Sequence, residues 1–141
     1  MKQRIAVLGS TGSIGANTLD VIARHPDRFE VFALSAASQV DLMLTQCAQF
    51  RPRFAVMVRE DAARDLAHKI EHSGLATKVL CGEAALQEMA AHESVDAVMA
   101  SIVGAAGLAS CMAAARAGKK LLLANKEALV VGGDLFMQAV K

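Results

Sequence analysis

The sequence has no tryptophan and no tyrosine, and aromatic residues make up only 4% of its 141 residues. A buried core must therefore be built from aliphatic side chains and alanine, which suit the close packing of helices on a sheet. The net charge of +1 gives no electrostatic reason to propose nucleic acid or a membrane surface as a partner. Hydrophobic residues reach 54%, which argues against disorder and predicts one domain over residues 1–141.

Cysteine is also scarce. Cys47, Cys81 and Cys111 lie far apart and form no C-x-x-C pair. We expect three buried free thiols in a reducing compartment and hence a cytoplasmic protein. The N-terminus has no apolar run of the length that a signal peptide needs. Residues 97–115 carry no charge and are numerous enough to span a bilayer, but glycines interrupt them, so we predict a buried strand followed by a helix.

Short apolar runs alternate along the chain with segments of helical periodicity. They predict strands at residues 5–8, 29–35, 54–58, 78–81, 96–100 and 121–123, with helices between them and a further helix after residue 125. Continuous apolar strands alternating with helices predict the α/β class, here a Rossmann-type doubly wound, mostly parallel sheet with helices on both faces. On the first helix, one face carries Ile14, Thr18, Val21 and Ile22; on the third, we expect Ala63, Leu66, Ala67 and Ile70 to point inward.

A glycine-rich loop leads from the first strand into the first helix, with the sequence Gly9-Ser10-Thr11-Gly12-Ser13-Ile14-Gly15. In a βαβ unit this arrangement is typical of dinucleotide binding. We expect Gly9 to permit the sharp turn, Gly12 to let a pyrophosphate approach the backbone, and Gly15 to let the helix pack tightly on the strand.

The same loop offers hydrogen-bond donors to an anion. The helix N-terminus supplies N–H groups and a partial positive charge, and we expect the hydroxyls of Ser10, Thr11 and Ser13 to surround the same phosphates. The spacing is G-x-x-G-x-x-G, not the commoner G-x-G-x-x-G. The alternative is a glycine-rich turn that only caps a helix.

The segment after the second strand, Ala37-Ser38-Gln39, contains no acidic residue. NAD-binding domains typically place Asp or Glu there to hold the ribose hydroxyls. A carboxylate would repel a 2′-phosphate, whereas Ser38 and Gln39 can donate hydrogen bonds to one. We therefore predict NADPH as the cofactor, although this segment has no arginine or lysine to hold the phosphate.

Two later strand ends point to the same crevice, because ligands bind outside the carboxyl ends of parallel strands. Ala100 begins a run of small residues that would let a ring come close. Asn125, Lys126 and Glu127 follow the last strand almost directly. They form either part of the site or a solvated helix start with Asn125 as its cap and Glu127 in the first turn, and the sequence favours neither.

Other polar groups are weaker candidates. His68 and His72 have helical i, i+4 spacing, but the charged residues between them favour a surface pair over a metal site. We expect His25 and His92 to be solvated. The charged segment 59–61 follows the third strand and lies either near an adenine or, as we favour, in a loop charge cluster.

Three motifs in this order resemble the amino-terminal domain of the 1-deoxy-D-xylulose 5-phosphate reductoisomerase family, at residues 9–15, 102–108 and 122–129. The resemblance implies rearrangement of a phosphorylated ketose, 1-deoxy-D-xylulose 5-phosphate, and its reduction with NADPH to 2-C-methyl-D-erythritol 4-phosphate. This reaction belongs to the non-mevalonate isoprenoid pathway. The resemblance also implies a homodimer, inhibition by fosmidomycin, and a divalent metal (Mg, Mn or Co) whose ligands lie outside this chain.

By matched position, the resemblance implies NADPH contacts from Thr11, Gly12, Ser13, Ile14, Asn125 and Glu127. Lys126 would be the catalytic residue that reaches the substrate. The chain departs from the family at Ala37-Ser38-Gln39, where many relatives carry a glycine and a basic residue, so the way the 2′-phosphate is held is open.

The chain ends within a predicted helix, and the family's acidic metal-binding motif is absent. We expect a fragment that is inactive alone. The alternatives are the cofactor domain of another NADP-linked aldehyde or semialdehyde dehydrogenase, and a non-catalytic nucleotide-sensing domain.

Overall fold

The computed structural model describes residues 3–100 and 104–123. In chain order, its elements are β1 (Gln3–Leu8), α1 (Ser13–Arg24), β2 (Phe29–Ala36), α2 (Val40–Phe50), β3 (Phe54–Met57), α3 (Glu60–Ser73), β4 (Lys78–Cys81), α4 (Glu83–Ala90), β5 (Ala97–Ala100), α5 (Gly104–Arg116) and β6 (Lys120–Leu123). The six strands form one sheet in the order β4-β3-β2-β1-β5-β6, and every adjacent pair is parallel. The predicted doubly wound α/β fold is confirmed.

The core consists of two apolar layers, one on each face of the sheet. Alternate residues of β1 divide between them: Ile5 and Val7 pack with helices α1, α2 and α3, while Ala6 and Leu8 pack with α4 and α5. The chain moves from β1 outward to β4 and then returns to the other side of β1. Because parallel crossovers are right-handed, this reversal puts the last two helices on the opposite face.

Some predicted inward positions are wrong. In α1 the buried stripe is Gly15, Leu19 and Ile22, whereas Val21 is 51% exposed. At about 100° per residue, Val21 lies on the far side of the helix from Leu19. In α3 Ala67 is exposed and Ala62 is buried instead, a difference that the weak hydrophobic signal of alanine does not predict.

The thiols and imidazoles also differ from expectation. Cys47 is a buried free thiol as predicted, but Cys81 is exposed. His25, His68 and His72 are exposed as expected. His92 is half-buried, since its ring packs against Phe32 with 4.8 Å between ring centroids, so the prediction of a solvated side chain is wrong.

In the uncharged segment 97–115, residues 97–100 form β5 and residues 104–115 lie in α5, as predicted. Within the part of the chain that the structure describes, every helix is too short or too polar to cross a membrane. Gly118 has φ 75° just after α5, which is the left-handed conformation expected of a glycine that ends a helix.

Candidate functional site

The carboxyl ends of β1 and β5 lie side by side at the point where the chain reverses direction across the sheet. Leu8 pairs with Ala100, and Ala100 pairs with Leu123 of β6. The segments that follow these three strands therefore begin at one edge of the sheet. The crevice outside such a reversal is where α/β sheets bind ligands.

The glycine loop occupies this edge. Gly9 has φ 81°, a conformation that side-chain-bearing residues rarely adopt, and its carbonyl accepts a hydrogen bond from the Gly12 N–H at 3.3 Å. The predicted sharp turn at Gly9 is confirmed. Gly12 is the N-cap of α1; no described side chain caps the helix, and its first turn has no acidic residue. The end of α1 can therefore offer N–H groups and a positive dipole to an anion.

Gly12 and Gly15 are glycines for different reasons. A Cβ at Gly15 would lie 2.6 Å from the Ser10 Cα and collide with the Gly9 carbonyl oxygen. The close approach expected at Gly15 is thus to the loop backbone. A Cβ at Gly12 would meet only the Gly9 oxygen, at an ordinary 3.7 Å, and Gly12 has φ −79°. The described chain does not need a glycine at position 12, which fits a requirement set by a ligand.

Ser10 does not face the crevice. Its side chain is fully buried, and its hydroxyl lies 2.7 Å from Gln46 Oε1 and 3.2 Å from the Ser35 carbonyl. Gln46 Nε2 in turn donates to the Ser10 carbonyl at 2.9 Å. The proton of this hydroxyl already has internal acceptors, and a phosphate contact from Ser10 stays a prediction that would require the hydroxyl to leave them.

Ser35 completes the anchoring of the loop. Its hydroxyl accepts a hydrogen bond from the Gly9 N–H at 2.9 Å, and its carbonyl accepts one from the Ser10 N–H at 2.8 Å. These bonds tie the glycine loop to β2, and Gln46 ties it to α2. Gln46 was not predicted as a site residue; its signal is a polar residue between the buried Met43 and Cys47.

The remaining candidates at this edge are described only in part. Thr11 is half-buried and Gly12 is exposed. The side chains of Ser13, Ile14 and Ala100, and all of Asn125, Lys126 and Glu127, lie outside the described residues.

The loop after β2 lies beside the loop after β3. Ala37, Ser38 and Gln39 are all exposed, as a nucleotide contact requires. The Ala36 carbonyl accepts a hydrogen bond from the Val58 N–H at 3.0 Å, and the Ala37 carbonyl accepts one from the Arg59 N–H at 3.2 Å. The sequence does not show this proximity, because Ala37 and Arg59 belong to different loops.

The segment after β3 is a charge cluster, as favoured from the sequence. Arg59 Nη2 lies 3.1 Å from Asp61 Oδ2, and Arg64 pairs with Glu60. All four side chains are largely exposed. Since exposed ion pairs contribute little to stability, a ligand could rearrange this cluster at small cost.

Among residues 3–100 and 104–123, no three His, Cys, Asp or Glu side chains are placed to hold a metal ion. A concavity of about 380 Å³ lies between residues 51–53 and 73–77. These segments precede β3 and β4, at the edge of the sheet opposite the glycine loop.

The family model described as 1-deoxy-D-xylulose 5-phosphate reductoisomerase matches residues 5–133 of this chain. The chain belongs to this reductoisomerase family. The match covers the glycine loop, the neighbouring strand ends and residues 125–127.

Individual members of the reductoisomerase family agree. The enzyme of Aromatoleum aromaticum is 63% identical over 138 residues, which is 98% of this chain and 34% of that protein. A crystal structure of DOX-P reductoisomerase with NADPH, fosmidomycin and magnesium superposes with a TM-score of 0.90 at 46% identity, covering 98% of this chain and 34% of that one. The reductoisomerase of Zymomonas mobilis in complex with NADPH gives a TM-score of 0.89 at 38% identity, covering 99% and 36%. The chain thus spans about a third of the length of these relatives.

Proposed function

We propose that residues 1–141 form the NADPH-binding domain of an enzyme that converts 1-deoxy-D-xylulose 5-phosphate to 2-C-methyl-D-erythritol 4-phosphate. The observation that carries this proposal is the glycine loop, which opens a helix that no described side chain caps, at the reversal point of a parallel sheet. Membership of the reductoisomerase family and the NADPH complexes of two related structures support it.

The described residues fit a dinucleotide. The first N–H groups of α1 would bind the pyrophosphate, and Gly12 leaves room for it beside the backbone. Thr11 lies on the same loop. Ala37, Ser38 and Gln39 would contact the adenosine ribose, and Ala100 would border the nicotinamide. When bound, NADPH supplies the hydride for the reduction.

We assign substrate chemistry to Lys126. It comes three residues after Leu123, which is level with Ala100 in the sheet. Rearrangement of the ketose phosphate develops negative charge on oxygen atoms, and a fixed ammonium group stabilises such charge. Asn125 and Glu127 would hold the lysine and the nicotinamide in position.

The remaining components would come from outside this domain. Following the family resemblance, we propose that the Mg, Mn or Co ligands lie outside this chain; a magnesium complex of a related structure, of which this chain covers 34%, supports a metal in the intact enzyme. We further propose that the enzyme is a homodimer, as the family resemblance implies. We also propose that it is cytoplasmic, which the buried free thiol of Cys47 supports because thiols stay reduced in that compartment.

The test compares the full-length enzyme with the 141-residue chain. We expect the full-length enzyme to oxidise NADPH only when 1-deoxy-D-xylulose 5-phosphate and a divalent metal are both present, and the short chain to oxidise none. NADPH binding without substrate-dependent turnover in the full-length protein would favour a nucleotide sensor. Turnover with a semialdehyde instead of the ketose phosphate would favour a dehydrogenase of another class.

A further inference from the structure

The loop after β2 has no basic residue, yet a basic residue stands next to it in space. In residues 3–100 and 104–123, Arg59 is the one arginine or lysine that lies in a loop at the carboxyl edge of the sheet. The other arginines and lysines in these ranges lie within helices, near the amino ends of strands, or in the loops of the opposite edge. Arg59 is thus the available cation at the edge where the dinucleotide would bind.

The position of Arg59 relative to the ribose follows from strand pairing. In this fold the end of β2 contacts the hydroxyls of the adenosine ribose. The Arg59 N–H donates to the Ala37 carbonyl at 3.2 Å, so the two residues are in direct backbone contact. Neighbouring strands are about 4.8 Å apart, a gap that an extended arginine side chain can cover. A group bound over Ala37 and Ser38 is therefore within reach of the Arg59 guanidinium.

We propose that Arg59 binds the 2′-phosphate of NADPH and sets the preference of this enzyme for NADPH over NADH. This inference rests on the proposed function of the domain. A planar guanidinium can donate two parallel, charge-assisted hydrogen bonds to a phosphate. The neutral side chains of Ser38 and Gln39 can donate only weaker hydrogen bonds to it. The cation missing from the β2 loop is thus supplied by the loop of the neighbouring strand.

Asp61 is the competitor for this guanidinium. Its carboxylate lies 3.1 Å from Arg59 Nη2, and the side chains of Arg59 and Asp61 are 64% and 72% exposed. An exposed pair of this kind is weak, and a phosphate carries more negative charge than a carboxylate. The 2′-phosphate would therefore displace Asp61, whose negative charge opposes binding.

The experiment measures the dissociation constants of NADPH, NADH and adenosine 2′,5′-bisphosphate for the full-length enzyme and its variants by titration calorimetry. Arg59→Gln should weaken the binding of NADPH and of the bisphosphate roughly ten- to a hundredfold, which is the scale of one lost charge-assisted contact. The dissociation constant of NADH should not change. Asp61→Asn should strengthen NADPH binding severalfold. Arg64→Gln is the matched control, because Arg64 is an exposed arginine in an ion pair within α3, away from the loop of Arg59, and its loss should leave all three constants unchanged.

The outcomes separate this inference from the proposed function. If the unmodified enzyme binds NADPH and Arg59→Gln leaves the ratio of NADPH to NADH affinity unchanged, the role of Arg59 is refuted and the domain assignment stands. Equal losses for NADPH and NADH would also refute it, since they would indicate a general effect on the site. An unmodified enzyme that binds neither dinucleotide would overturn the proposed function and this inference with it.

Discussion

Ser10 and Gln46 are 36 positions apart in the chain and exchange two hydrogen bonds inside the protein. The Ser10 hydroxyl lies 2.7 Å from Gln46 Oε1, and Gln46 Nε2 donates to the Ser10 carbonyl at 2.9 Å. Since a carbonyl oxygen can only accept, this second bond settles the orientation of the Gln46 amide. The side chain of Gln46 in α2 thus anchors the glycine loop through two hydrogen bonds with Ser10.

Replacing Gln46 by leucine should loosen that loop. The Ser10 carbonyl would lose its donor and the buried hydroxyl one of its partners, at a cost of about 1–3 kcal/mol in the free energy of unfolding. We also expect weaker NADPH binding, because the N–H groups that we propose bind the phosphates would be less well ordered. Urea unfolding and NADPH titration check both effects. Gln49→Leu is the control, as Gln49 is exposed on the same helix; equal stability of the two variants would contradict the expectation.

Gly12→Ala and Gly15→Ala should separate ligand binding from folding. At Gly15 the new methyl group would lie 2.6 Å from the Ser10 Cα, so the backbone must shift. We expect this variant to lose about 1–3 kcal/mol in the free energy of unfolding and also to lose NADPH binding. At Gly12 the methyl group finds ordinary space in the protein, but it would occupy room that we propose the pyrophosphate uses. This variant should keep its melting temperature and lose NADPH affinity. If both variants melted alike, our distinction between the two glycines would be wrong.

Ser38→Asp should reverse part of the cofactor preference. A carboxylate in this exposed loop would repel the 2′-phosphate, so the binding of NADPH should weaken far more than the binding of NADH. Calorimetric titration of both cofactors gives the comparison. Gln87→Asp, which adds the same charge at an exposed position of α4, should change neither affinity. Equal affinities for NADPH and NADH in the unmodified enzyme would refute the prediction of NADPH preference.

Lys126→Ala in the full-length enzyme should lower turnover about 10²–10³-fold, the usual scale for removing one electrostatic stabiliser of a transition state. Stability and NADPH affinity should change little, because lysine side chains are seldom buried and contribute little to a core. Steady-state kinetics and melting curves test this, with Lys78→Ala at the exposed start of β4 as control. Near-normal turnover, or an equal loss that follows from unfolding, would indicate a structural lysine.

The thiol of Cys47 should make stability depend on alkaline pH. Burial raises its pKa from 9.0 to about 11. As pH rises through this window, the unfolded thiol releases its proton before the folded one, so the free energy of unfolding should fall, by about 3 kcal/mol in total. Urea unfolding at several pH values should show this slope in the unmodified protein and in Cys81→Ala. The slope should be smaller in Cys47→Ala, where the raised pKa of Lys69, which hydrogen-bonds Asp41, still contributes; an undiminished slope there would assign it to groups other than Cys47.

Much of the architecture follows from local sequence. Apolar runs bounded by glycine and charged residues locate all six described strands to within about two residues, because a parallel strand buried on both faces must be apolar throughout. The turn at Gly9 and the helix end at Gly118 are also predictable from local sequence, because glycine is the residue that most readily adopts a positive φ. Motif order within the chain also points to the reductoisomerase family.

Contacts between distant segments are decided by the tertiary structure alone. A hydroxyl in a glycine loop suits both a phosphate and a buried amide, and Ser10 binds Gln46 only because α2 packs beneath that loop. The exposure of Val21 depends in the same way on which stripe of α1 meets the sheet. Arg59 lies beside Ala37 because β2 and β3 are neighbours in the sheet, and strand order is set by crossover geometry and the packing of whole layers, which no local pattern of residues encodes.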